Sequence, residues 1–120
     1  MKKNKSQKTY IENIAELYPK RKFDFEKDGS LITVLYYEQN PTLIEKIFFK
    51  KQLKKPRKID LDEIGSFVWE LCDGSRNVEE ITRVAEEHFK EKINPAKERT
   101  ELFIEQLYRA KLIELYKKIK

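Results

Sequence analysis

The stretch that most constrains the fold is residues 59–74, IDLDEIGSFVWELCDG, where a short apolar run enters a helix marked at both ends. Its apolar residues have the i, i+3, i+4, i+7 spacing of one helix face: Ile64, Phe67, Val68 and Leu71. Asp62 can cap the start, or Asp60 and Glu63 can form a capping box instead. Gly74 can turn left-handed after the end. The pattern predicts a strand that leads directly into the first of several helices.

Two more helices are predicted downstream. Asn77 and Glu80 have capping-box spacing, and the stripe that follows consists of Val78, Ile81, Ala85 and Phe89. Asn94 can cap a third helix with Pro95 at its first position, and its stripe consists of Thr100, Phe103, Ile104 and Leu107. Three helices joined by short loops are typical of a helix-turn-helix unit. Residues 112–116 alternate loosely, which favours a short wing strand over an extension of the last helix.

The N-terminal half predicts a short helix and a hairpin. Apolar positions in residues 10–17 indicate a helix that ends before Pro19 and docks on the core. Residues 23–26 alternate with period two, and residues 31–37 are rich in Ile, Thr, Val and Tyr, which favours strands. Lys-Asp-Gly-Ser at residues 27–30 supplies the turn between them.

The segment from Ile59 to Ile113 resembles the PqqD family of small peptide chaperones, also called RiPP recognition elements because they serve ribosomally made, post-translationally modified peptides. The resemblance is carried by LDEIGSFVWELCDGSRNVEEI and FIEQLYRAKLIEL, with Leu-Asp-Glu-Ile-Gly and Cys-Asp-Gly specific in combination. It implies an α+β, winged-helix-like fold, in which a three-stranded antiparallel sheet precedes a three-helix bundle, here with the short N-terminal helix added. The third strand is then expected at residues 57–61, with Lys58 and Asp60 facing away from the core.

The resemblance also implies a noncatalytic function. Such proteins capture the leader segment of a precursor peptide by strand addition and present it to a modifying enzyme, often a radical SAM protein. The leader would lie antiparallel along the third strand, in a groove beside the third helix. The peptide-binding residues expected here are Arg57, Lys58, Ile59, Asp60, Leu61, Arg99, Leu102, Gln106 and Arg109. The opposite flank of the helix, with Glu101, Glu105 and Tyr108, is the alternative, and Arg99 favours an acidic leader.

Length leaves room for one domain with one modest core, since the chain has 120 residues. We divide residues 1–120 into a basic segment with the short helix (1–22), the sheet (23–61), the three-helix unit (62–111), and a wing strand with a tail (112–120). The basic amphipathic insert at 38–56 is longer than a hairpin needs. It can cover the sheet edge, which we favour, or dock a partner, or lie on a membrane.

Charge is distributed unevenly along the chain. Residues 1–58 carry 15 Lys and Arg against 7 Asp and Glu, whereas residues 59–120 carry 11 against 14. The basic half predicts contact with something anionic through the sheet side, and the alternative is a solvated basic surface.

Residues with catalytic potential are few. The lone Cys72 excludes an internal disulfide and a multi-cysteine metal site, and we interpret it as a core residue. His88, flanked by Glu86 and Glu87, is interpreted as a surface or half-buried helix residue. Trp69 lies off the helix stripe and is expected to pack rather than to stand exposed. We therefore expect no enzyme, no metal and no cofactor. The start of the chain lacks a signal-peptide apolar region and no run is long enough to span a bilayer, which predicts a cytoplasmic protein without a membrane partner.

The alternative functions are a winged-helix DNA-binding regulator and a scaffold or adaptor of undefined partner. Helix-turn-helix geometry and a pI near 9.2 suit DNA binding. The third helix, however, balances three basic residues with three acidic ones over residues 95–110, so no nucleic acid partner is expected. A free edge on the third strand could pair two copies, although Arg57 and Lys58 disfavour this, so a monomer or weak homodimer is expected.

Overall fold

The computed structural model describes residues 13–36 and 57–118, and its described part has the predicted α+β architecture. The elements in chain order are β1 (Tyr18–Arg21), β2 (Phe25–Asp28), β3 (Leu31–Tyr36), β4 (Arg57–Asp60), α1 (Glu63–Leu71), α2 (Val78–Phe89), α3 (Ala96–Arg109) and β5 (Ile113–Tyr116). β2, β3 and β4 form an antiparallel sheet in that order, followed by the three helices in a winged-helix-like arrangement. The predicted fold class is confirmed. The basic insert at 38–56 lies outside the described residues.

The hairpin between β2 and β3 has a tighter turn than the sequence suggests. Asp28 pairs with Leu31, so the turn contains only two residues and begins at Gly29, whose φ is 63°. The predicted turn at 27–30 is therefore wrong in its bounds, because Lys27 belongs to β2. Two-residue turns with positive φ match the twist of the flanking strands.

β4 confirms the predicted third strand and its orientation. It pairs antiparallel with β3, with Ile59 opposite Val34 and Asp60 opposite Thr33. Lys58 and Asp60 are exposed, whereas Ile59 is half-buried. Alternation along the strand thus turns one face to the core and one to solvent.

α1 begins where the sequence predicts, at the Asp62 cap. The Asp62 Oδ1 accepts a hydrogen bond from the Gly65 N–H at 2.7 Å. The alternative capping box does not form, because Asp60 is engaged elsewhere and accepts a bond from the Thr33 hydroxyl at 2.7 Å. The cap fixes the point at which the chain leaves the sheet and enters the helix.

Ser66 joins α1 to the end of the sheet. The Ile32 N–H donates to the Ser66 Oγ at 2.8 Å, and the Ser66 hydroxyl donates to the Leu61 carbonyl at 3.3 Å. The hydroxyl thereby bridges the Ile32 N–H and the Leu61 carbonyl, beside the direct bond from the Leu61 N–H to the Ile32 carbonyl. This explains why a serine is buried in the core.

The buried face of α1 differs from the predicted stripe. The buried residues are Gly65, Ser66, Val68 and Trp69, whereas Ile64, Phe67 and Leu71 are half-buried. The reason is that α1 packs on both β3 and α2, so it is covered on two sides. Trp69 packs as predicted, fully buried with its ring edge-on to Phe25. Cys72 is also buried, as predicted.

α2 follows its prediction closely and α3 does not begin where expected. Both capping-box bonds of Asn77 and Glu80 are present, and the whole α2 stripe is buried. The predicted Asn94 cap of α3 is wrong: Pro95 is the N-cap, because its carbonyl accepts the first helical bond, from the Arg99 N–H. Asn94 instead closes the 3-10 turn Lys90–Ile93, which delays the helix by one residue.

A second, two-stranded sheet joins the two ends of the described chain. β5 confirms the predicted wing strand, and it pairs antiparallel with β1, a strand that the sequence does not predict. The described part of the predicted helix at 10–17 is a short 3-10 helix, Ile14–Glu16, which ends before Pro19 as predicted. Ile14 does dock on the core as expected. We call the β1–β5 pair the ribbon.

Candidate functional site

An open groove of about 440 Å³ lies between the end of β4, the start of α1 and one flank of α3. It is lined by Asp60, Leu61, Asp62, Ile64, Gly65, Arg99, Leu102, Phe103 and Gln106. The groove thus lies where three elements meet, next to the strand that is predicted to bind the leader.

Several of the predicted peptide-binding residues meet in this groove. Asp60 and Leu61 come from the strand side, and Arg99, Leu102 and Gln106 come from α3. The alternative flank of α3, with Glu101, Glu105 and Tyr108, does not line the groove.

The remaining predicted residues lie elsewhere. Arg57, Lys58 and Ile59 continue along β4 away from the groove. Arg109 does not line the groove and instead binds Glu105, with Nη2 at 2.7 Å from Oε2. The predicted residues therefore fall in two places, a segment along β4 and the groove, and these meet at the end of β4.

β4 is an edge strand, and its hydrogen-bonding pattern is asymmetric. The Leu61 N–H donates to the Ile32 carbonyl at 2.9 Å, so Leu61 and Ile59 direct their backbone groups at β3. By alternation, Lys58 and Asp60 direct theirs to the other edge. Within residues 13–36 and 57–118, no strand pairs with that edge.

A close approach between α1 and α3 makes the apolar wall of the groove. A Cβ at Gly65 would lie 3.1 Å from Cζ of Phe103 and 3.0 Å from Oδ1 of Asp62. Glycine at this position therefore lets the Phe103 ring rest on α1. Next to it, Leu102 keeps 57% of its surface exposed, although it is a leucine beside the core. The groove thus offers uncovered apolar surface.

Sequence reasoning missed four lining residues, Asp62, Gly65, Ile64 and Phe103, and it assigned two of them, Ile64 and Phe103, to core stripes. These two are half-buried rather than buried. Their positions next to Leu102 and Asp62 could have indicated this role. A stripe residue that borders an exposed apolar side chain is a candidate for a groove wall.

The charges in the groove are mixed. Asp60 and Asp62 line one side, and Arg99 lines the other. The Arg99 Nη1 donates to the Lys92 carbonyl at 2.9 Å, which holds its guanidinium against the preceding 3-10 turn. The prediction of an acidic leader relied on Arg99 alone, and the two carboxylates opposite weaken it.

The residues with catalytic potential stand apart from the groove. His88 is exposed, as predicted, and its ring stacks on Phe67 with centroids 4.4 Å apart. Burial raises the pKa of the Cys72 thiol to about 12, so the thiol stays neutral and is a poor nucleophile. Among the described residues, no group of three or more His, Cys, Asp and Glu side chains could hold a metal ion. None of the described helices is long and apolar enough to cross a bilayer.

Comparison with known families agrees with this geometry. The family model for Coenzyme PQQ synthesis protein D (PqqD) matches residues 34–113. The match includes β4, all three helices and every residue that lines the groove. No curated protein and no solved structure matches the chain.

Proposed function

Because the chain belongs to the PqqD family of RiPP recognition elements, we propose that it captures the leader of a ribosomally made precursor peptide by strand addition to β4. The bound leader is then presented to a modifying enzyme, a radical SAM protein. Family membership gives the chain a peptide-binding accessory role in the biosynthesis of PQQ or of RiPPs. The mode of capture and the kind of enzyme are our proposal.

The observation that carries the proposal is the edge of β4 beside the groove. The backbone groups of Lys58 and Asp60 point away from β3, and the groove begins at Asp60. An extended peptide that pairs with this edge gains main-chain hydrogen bonds that do not depend on its sequence. Its alternate side chains then reach the groove.

The groove supplies selectivity in this proposal. Leu102 and Phe103 offer apolar surface, and Asp60, Asp62 and Arg99 offer charges of both signs. A leader with one apolar side chain flanked by polar ones fits such a surface. Backbone pairing gives affinity, while the groove selects side chains at particular positions.

The basic residues of α3 argue against the DNA-binding alternative. Lys97 pairs with Glu101 at 3.1 Å, Arg109 pairs with Glu105, and Arg99 is held by the Lys92 carbonyl. A recognition helix needs such side chains free for phosphates and base edges. We propose a noncatalytic role for the chain, in keeping with a family of non-catalytic accessory proteins.

The test compares two substitutions at one position of the edge. Lys58→Pro removes an N–H that β3 does not use, and Lys58→Ala removes only the side chain. Loss of one backbone hydrogen bond to the leader should cost about 1 to 2 kcal/mol, roughly a five- to thirtyfold rise in Kd. Calorimetry with the leader of a precursor peptide encoded beside the gene measures both. Equal affinity of the two folded variants would reject strand addition at β4.

A further inference from the structure

The outer face of the ribbon forms a second concave surface, of about 480 Å³, which we call the ribbon pocket. Its lining comprises two tyrosines, three lysines and one turn, namely Tyr18, Tyr116, Lys20, Lys117, Lys118 and Asp73 with Gly74. It shares no residue with the groove. All of its lining except the turn lies outside residues 34–113, the part matched by the family.

The two faces of the ribbon differ sharply in character. Pro19 and Ile113 are buried on the inner face. Tyr18 lies directly opposite Tyr116 and therefore shares the outer face with it. Lys20 is on the same face by alternation, and its side chain runs along Gly74, where a Cβ would lie 3.4 Å from Lys20 Cδ. Glu114 lies opposite Lys20 on the same face, which therefore carries two tyrosines, one lysine and one glutamate.

The lysines of the ribbon pocket form no ion pair with a carboxylate of the described residues. Several cations elsewhere pair with glutamates, such as Lys27 with Glu70 at 3.1 Å. Three positive charges therefore surround the pocket.

The nearby carboxylates are engaged locally. The Asp73 Oδ1 accepts bonds from the Ser75 N–H at 3.0 Å and from the Ser75 hydroxyl at 2.6 Å. Glu114 accepts a hydrogen bond from the Tyr116 hydroxyl. Asp73 is the one carboxylate in the lining, so the balance of charge in the pocket is positive.

We propose that the ribbon pocket binds an acidic, extended segment of a protein partner. The proposal goes beyond leader capture and does not depend on it. Tyrosine side chains supply contact area at low entropic cost, and the lysines attract carboxylates. No described strand occupies the outer edge of β5, so the backbone of the segment can pair there.

A polypeptide suits this surface better than a nucleic acid does. A strand edge offers backbone donors and acceptors in the spacing that another strand supplies. The chain could therefore hold a leader in the groove and an acidic protein segment on the ribbon at the same time.

Fluorescein-labelled hexaglutamate is the probe, followed by anisotropy at about 20 mM salt, where screening is weak. The ribbon triple variant changes Lys20, Lys117 and Lys118 to Gln. The control triple changes Lys90, Lys92 and Lys111 to Gln, three exposed residues outside the ribbon pocket with the same change in net charge. The ribbon triple should weaken binding about tenfold, and the control less than twofold.

Mapping by amide chemical shifts completes the test. Hexaglutamate should shift residues 18–20, 73–74 and 113–118, and Tyr116→Ser should weaken its binding further. Equal losses in the two triples, or shifts confined to the groove, would overturn the proposal. Tighter binding of duplex DNA than of hexaglutamate, lost in the ribbon triple, would assign the surface to nucleic acid instead. The ribbon triple should keep its affinity for a leader, and Lys58→Pro its affinity for hexaglutamate, so each proposal can fail alone.

Discussion

Three leucines in different surroundings allow a controlled test of the groove. Leu102 lines the groove with 57% of its surface exposed, Leu31 is 50% exposed but does not line it, and Leu107 is buried at 4%. Each is changed to alanine. The chemical change is the same in all three, so differences between them report the surroundings of each side chain.

The expected size of the effect follows from exposure. Complete burial of a leucine side chain is worth about 1.5 to 3 kcal/mol, and roughly half of Leu102 remains to be buried by a leader. Leu102→Ala should therefore cost about 0.8 to 1.5 kcal/mol of binding, roughly a four- to twelvefold rise in Kd. Its free energy of unfolding should change little. Leu107→Ala, by contrast, should lose about 2 to 5 kcal/mol of stability.

Isothermal calorimetry with a leader measures the Kd of each variant, and urea denaturation measures its free energy of unfolding. Leu31→Ala should match the parent protein within a factor of two in Kd. The reasoning is refuted if Leu102→Ala binds as well as Leu31→Ala does. It is also refuted if Leu102→Ala destabilises the fold as much as Leu107→Ala.

Three further substitutions test the packing around the groove and the core. Gly65→Ala should push the Phe103 ring outward, so leader affinity should fall while circular dichroism still shows a folded protein. Burial raises the pKa of the Cys72 thiol to about 12 from its ordinary 9.0. At pH values between these two, only the unfolded state releases the thiol proton. The free energy of unfolding therefore falls as the pH rises above 9. Relative to Cys72→Ala, the parent should lose about 1.4 kcal/mol by pH 10 in urea denaturation. The Arg21 guanidinium donates hydrogen bonds to the Trp69 and Glu70 carbonyls at the end of α1, at 3.0 and 2.8 Å. Arg21→Met should therefore destabilise the fold by about 1 to 3 kcal/mol. The control Lys22→Met, at an exposed neighbouring position, should not destabilise it.

The elements that the sequence predicts well are those specified by local signals. α2 has a capping box and a single apolar stripe, and both are present in the structure. Asp62 likewise caps α1 through a bond to a residue three positions away. Such signals need no knowledge of the rest of the fold.

β1 could not be predicted, because its strand character comes from distant partners. Its sequence, Tyr-Pro-Lys-Arg, has little strand propensity. It pairs with β5 on one side, and on the other the Pro19 carbonyl accepts a bond from the Gly74 N–H. Pro19 has no N–H, and its backbone faces that second side. The hydrogen bonds between β1 and β5 therefore lose no donor at this position.

Only part of the groove could be predicted, again because contacts between distant residues decide which side chains line it. The residues that line it from α3 share one helical flank, which a helical wheel identifies. Which flank faces the strand depends on how α3 packs on α1, where the Phe103 ring lies against Gly65. That contact joins residues far apart in the chain, so the sequence left both flanks open.

The most direct test of leader capture is hydrogen exchange at the edge of β4. The amides of Ile59 and Leu61 are directed at β3, and those of Lys58 and Asp60 at the open edge. On addition of a leader, strand addition predicts slower exchange at Lys58 and Asp60 and little change at Ile59 and Leu61. Unchanged exchange at Lys58 and Asp60 with a saturating leader would contradict it.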